Sequence, residues 1–90
     1  MNKKDEMITR NIELSAEFSK YIFEHPDIEE KIPLDAEIVL LPEFDKELKK
    51  YNLEIAKRME SESEKVFYIS IKNLRPKTLS RINTLELDQV

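Results

Sequence analysis

Residues 36–42 read Ala-Glu-Ile-Val-Leu-Leu-Pro and residues 65–71 read Lys-Val-Phe-Tyr-Ile-Ser-Ile. The first holds four consecutive apolar residues without alternation, the pattern of a strand covered on both faces. The second is β-branched and aromatic, with Phe67, Ile69 and Ile71 on one face and Val66, Tyr68 and Ser70 on the other. Roughly 24 residues separate the two. A two-residue turn would make them a hairpin. This spacing instead suits a crossover between parallel strands, with one helix in the connection.

That helix is expected from Phe44-Asp45 onward. Asp45 is a favourable N-cap, and Glu47 brings a carboxylate to the positive end of the helix dipole. The stripe Phe44, Leu48, Tyr51, Ile55, Met59 repeats at helical spacing and should face the strands. Leu53 falls on the opposite, charged side. The helix is expected to end between Glu60 and Ser63 with no glycine to cap it, and Ser61-Glu62-Ser63-Glu64 reads as a loop.

On the N-terminal side, Pro26-Asp-Ile-Glu-Glu-Lys-Ile-Pro33 reads as a short helical turn, with proline at its first position and an Ile28/Ile32 pair on one face. Before it, residues from about Thr9 to His25 form a long amphipathic helix, and residues 1–8 are expected as a flexible lead-in. Arg10, Glu13, Glu17, Lys20 and Glu24 share one arc of about 100°. The apolar residues occupy the rest, split into two stripes by Asn11, Ser15 and Ser19. Two stripes call for two neighbours. These are either the sheet and second helix of the same chain, or one of them and another subunit. Pro26 stops the helix.

Beyond residue 71, Asn73 to Pro76 reads as a turn and Arg81 to Leu87 as a third strand. The expected fold is a single small α+β (or α/β) domain over residues 9–90, with 73–90 a strand or tail. Its order is helix, short helix, strand, helix, strand and a C-terminal strand or tail, around a two- to three-stranded sheet containing a parallel β-α-β unit covered by helices.

Composition excludes most chemistry. The chain has 90 residues, no cysteine and no glycine. Disulfides, zinc–thiolate sites and thiol catalysis are out. So are glycine-rich phosphate loops and the glycine-flanked nucleophile elbow. A single histidine, His25, cannot build a multi-histidine metal site; at the end of a helix beside Pro26 it suits capping, although histidine as a residue type suits proton transfer, which keeps it a candidate functional group. The carboxylates at Asp27, Glu29, Glu30 and at Glu43, Asp45, Glu47 lack a metal-loop spacing and read as solvated faces. No catalytic residue, metal or cofactor is assigned.

Charge is uneven. Residues 1–64 carry 10 Lys/Arg against 17 Asp/Glu, whereas residues 65–85 carry five cations and no acid. Neutralisation of the acidic body explains this. The alternative is phosphate binding through Lys72, Arg75, Lys77 and Arg81, with Phe67 and Tyr68 upstream to stack on bases. The apolar stretches are too short to span a bilayer and the N-terminus lacks a signal peptide's apolar region, so a cytoplasmic protein is expected.

The pattern Asn11-x-x-Leu14-x-x-Glu17-Phe18-x-x-Tyr21-Ile22-Phe23-x-His25-Pro26, with Ile32-Pro33, Leu40-Leu41-Pro42-Glu43-x-Asp45-x-Glu47-Leu48 and Asn52-Leu53, resembles a family of small uncharacterised prokaryotic proteins. The resemblance runs over roughly residues 10–75. It implies a domain without an assigned activity, of a size similar to antitoxin-like small-gene partners. At Asn11, a polar position on an apolar side, it directs attention to a buried hydrogen bond.

Together these readings favour a non-enzymatic, self-associating protein-interaction module. It is expected as a homodimer, open to a further protein partner, with interface candidates Asn11, Ser15, Ser19 and Leu53. A nucleic-acid-binding regulator is the alternative.

Overall fold

The computed structural model describes residues 2–76 and 82–88. In chain order the elements are helix α1 (Lys3–Glu24), a single turn α2 (Pro26–Glu29), strand β1 (Glu37–Pro42), helix α3 (Lys46–Ser61) and strand β2 (Val66–Ile71). The two strands pair in parallel, with Glu37 opposite Val66 and Pro42 opposite Ile71. The crossover length thus identified the pairing correctly, and α3 is the connection.

Each helix boundary has a local cause. Asn2 caps α1 by accepting the Asp5 amide, and Asp5 and Glu6 follow in the first turn. The helix therefore starts at Lys3 rather than near Thr9, and residues 3–8 are its first turns. They are held there by Met7, which is fully buried. At the other end the His25 amide bonds the carbonyls of Tyr21 and Ile22 before Pro26 breaks the ladder.

Asp45 caps α3 as expected, accepting the Leu48 amide at 3.1 Å. Phe44 consequently precedes the helix and is exposed, so it does not belong to the core stripe. The C-terminus of α3 closes with two backbone bonds, from Ser63 to Glu60 at 3.0 Å and from Glu64 to Met59 at 3.0 Å. This is the Schellman pattern, which needs a left-handed residue just past the helix. Ser63 supplies it at φ 67° without the freedom of glycine.

The core has two parts because β1 alternates. Leu40 joins Met7, Leu14 and Leu48, with Phe18, Tyr51, Ile69 and Ile71 packed against them. Val39 and Leu41 join Ala56, with Leu53, Met59 and Val66 alongside. Because α3 contributes to both groups, Leu53 lies half-buried against the second rather than stranded on a charged face. Phe18 is half-buried, as is Ile55 of the stripe expected to face the strands.

Among the described residues no third strand forms, and Arg81, where it was expected to begin, lies outside them. Residues 82–88 are irregular and exposed, and Leu87 retains 90% of its accessible surface. Among the described residues the sheet therefore has two strands. The radius of gyration is 17.9 Å, against about 12 Å for a compact chain of this length. Much apolar surface on α1 and in residues 82–88 stays uncovered, including Ile8, Ile12, Tyr21, Phe23, Ile82 and Leu85.

Candidate functional site: the groove between the two long helices

The β1–β2 ladder sets which backbone groups face outward. The Glu37 amide donates to the Lys65 carbonyl and the Glu43 amide to the Ile71 carbonyl, both at 2.8 Å. In a parallel ladder, alternate residues of each strand point at the neighbour. Ile38, Leu40 and Pro42 therefore face the outer edge of β1, and Val66, Tyr68 and Ser70 the outer edge of β2.

At the β1 edge the Asn52 amide donates to the Leu40 carbonyl at 2.8 Å. The same side chain exchanges two hydrogen bonds with Asn11 of α1, at 2.8 and 2.9 Å. A buried strand-edge carbonyl is thus satisfied by α3, and α3 is clasped to α1 through a closed pair of amides. Among the described residues no buried side-chain nitrogen or oxygen lacks a partner. The hydrogen bond anticipated at Asn11 exists, and its partner is Asn52 of the same chain. The spacing that placed Asn11 on an apolar face could not name Asn52, which stands 41 residues away.

Above this clasp runs an open groove. Ile8, Asn11, Ile12 and Ser15 of α1 face Tyr51 and Ile55 of α3 around a hollow of about 370 Å³. A second hollow of about 180 Å³ adjoins it, extending from Asn11 and Ser15 to Ile38, Val39 and Met59. Its walls are apolar and Ile12 is 65% exposed.

An ion-pair cluster ties the helices together at one end. Arg10 reaches Glu6 at 2.9 Å, Glu47 at 3.0 Å and Asp45 at 3.4 Å, and Lys3 also pairs with Glu47. The Lys3 hydrogen bond, followed by the charges of Lys3 and Arg10, holds the Glu47 carboxyl below the ordinary carboxylate value. Lys49 does the same for Glu43 at 2.8 Å. These contacts are exposed or only partly buried, so each contributes modestly.

The other residues singled out from the sequence are dispersed. Ser15 lines the groove and Ser19 is exposed beyond it. Asn11 is consumed by Asn52, and Leu53 packs beside Val39, Leu41 and Ala56. His25 stacks on Tyr21 with ring centres 4.1 Å apart, and its Nδ1 lies 2.9 Å from the Tyr21 carbonyl. A carbonyl only accepts, so Nδ1 carries the proton; the ring finishes α1 as a cap. Lys72 and Arg75 sit on the exposed, irregular segment after β2, while Lys77 and Arg81 lie outside the described residues. The described residues contain no group of three or more acidic or histidine side chains that could hold a metal ion. None of their helices is long and apolar enough to cross a membrane.

The architecture is a small α+β domain, one parallel β-α-β unit with a long N-terminal helix clasped to its crossover helix. A family model covers residues 6–85, and the chain belongs to that family of unknown function, DUF5647. No curated protein and no solved structure matches it.

Proposed function

We propose that the protein is a non-enzymatic, self-associating interaction module, and that α1 contributes to the interface through the groove it shares with α3. The observation that carries this reading is the groove itself. Ile8 and Ile12 stand exposed on one wall, Tyr51 and Ile55 form the other, and Ser15 leaves room between them for a close approach. The Asn11–Asn52 clasp supports it by fixing the spacing of the walls, which makes the groove a preformed surface. A small domain with a two-stranded sheet has little else with which to cover such a face. A two-fold dimer is the simplest closed assembly for a self-complementary patch.

Ser15→Arg tests the groove. Ser15 is exposed, so the fold should tolerate the change, whereas an arginine at the groove would obstruct a docked copy. The variant is expected to form smaller assemblies than the wild type at equal concentration. An unchanged mass would place the interface elsewhere.

A further inference from the structure

The two edges of the sheet are treated differently. On β1, Asn52 takes the Leu40 carbonyl, and Pro42 has no amide proton to offer. Sealing and proline are both devices that keep an edge from pairing. On β2 neither is present. Val66, Tyr68 and Ser70 direct their amides and carbonyls away from β1, and no other strand of the described residues covers them. The side chains of β2 are only half covered as well, with Tyr68 39% exposed.

We propose that β2 pairs antiparallel with β2 of a second copy, across a two-fold axis at Tyr68. The register follows from the strand itself. The outward-facing residues are 66, 68 and 70, so a two-fold axis at their centre sets Val66 opposite Ser70 of the second copy and Tyr68 opposite its own equivalent. Each opposed pair of outward residues then exchanges both an amide and a carbonyl bond, as an antiparallel ladder requires. Just past the two ends of β2, the same two-fold brings Glu64 beside Lys72 of the second copy, twice over by symmetry. Opposite charges directly across an antiparallel pair are favourable, and like charges are not.

Charge therefore selects a second copy as the occupant. Neither Glu64 nor Lys72 forms an ion pair within the described chain. Lys72 acts on Glu43 only at longer range, and Glu43 is already bonded to Lys49. The product is a continuous four-stranded sheet with β1 at each outer edge, where Asn52 and Pro42 limit further growth. This contact uses none of the groove residues and stands or falls independently of the groove.

The test uses the full chain carrying Ser15→Arg, so that the groove is blocked, and measures its mass by sedimentation velocity over a concentration series. The protein is expected to remain a dimer. Adding Lys72→Glu should weaken that dimer about tenfold by creating two like-charge pairs. Adding Glu64→Lys together with Lys72→Glu should restore it. Adding Ser70→Pro, which removes an outward amide without breaking a β1–β2 bond, should give monomers with unchanged circular dichroism. A monomeric Ser15→Arg protein overturns the proposal, as does a dimer indifferent to the Lys72 charge. If Ser70→Pro fails to fold, the charge reversal and its rescue decide alone. A Ser15→Arg protein with wild-type mass whose association is lost on charge reversal would refute the groove and uphold the β2 edge.

Discussion

Asn11 and Asn52 exchange two hydrogen bonds between α1 and α3, and Asn52 alone carries a third to the Leu40 carbonyl. The two residues are therefore unequal. Asn52 is 5% exposed and joins three elements, whereas Asn11 is half-buried and can turn to water. Replacing Asn52 with leucine strands a carbonyl and an amide and should cost about 1–3 kcal/mol. Asn11→Ala should cost less, because Asn52 keeps its bond to Leu40. The double variant should lose less than the sum of the singles, as contacting residues do. Urea denaturation of all four proteins checks this; strictly additive losses would mean that the clasp is not a unit.

Core truncations should separate the two walls of α3. Leu48 is 2% exposed among Met7, Leu14 and Leu40, and Leu48→Ala should cost about 2–5 kcal/mol. Ile55 is half-buried and lines the open groove, so Ile55→Ala should cost clearly less in the isolated subunit. Equal losses, measured by denaturation at a concentration low enough to give monomers, would mean that the groove is closed in solution.

Ser63 offers a gain. It takes a left-handed conformation at φ 67° to complete the Schellman cap of α3. Glycine adopts that conformation without a Cβ penalty, so Ser63→Gly should raise stability by about 0.5–1 kcal/mol. A thermal midpoint below that of the wild type would show that the cap does not form as described.

Acid should act on the Glu43 and Glu47 pairs. Both carboxyls have depressed pKa values in the folded protein, through hydrogen bonds to Lys49 and Lys3 respectively. The unfolded chain then binds protons more readily than the folded one. Their contribution is complete above the ordinary glutamate range and disappears as pH falls through the depressed values. Tyr68 behaves oppositely. Its hydrogen bond to Glu60 raises its pKa, so that contribution is present below the ordinary tyrosine value and is lost as pH rises through the raised one. Glu47→Gln should flatten the acid limb of a plot of urea midpoint against pH and leave the alkaline limb in place.

The parallel β-α-β unit was legible because it rests on local signals: an unbroken apolar strand, an aspartate cap and a connection of crossover length. The start of α1 was missed because Asn2 and Met7 act through a cap and a burial that the charged residues 3–6 conceal. The segment 82–87 has the composition of a strand, but strand formation depends on a neighbour. Among the described residues only β1 and β2 pair as strands. The site was half legible. Ser15 was found by its place on the seam between two apolar stripes and does line the groove. Asn52 was not found, because a buried asparagine on a helix looks like any polar surface position until its partners in α1 and β1 are known.

Sedimentation equilibrium of the wild-type chain at micromolar concentration bears most directly on the central claim of self-association. The account predicts a mass at least twice that of the chain, decreasing on dilution. A monomer mass at every concentration would contradict it.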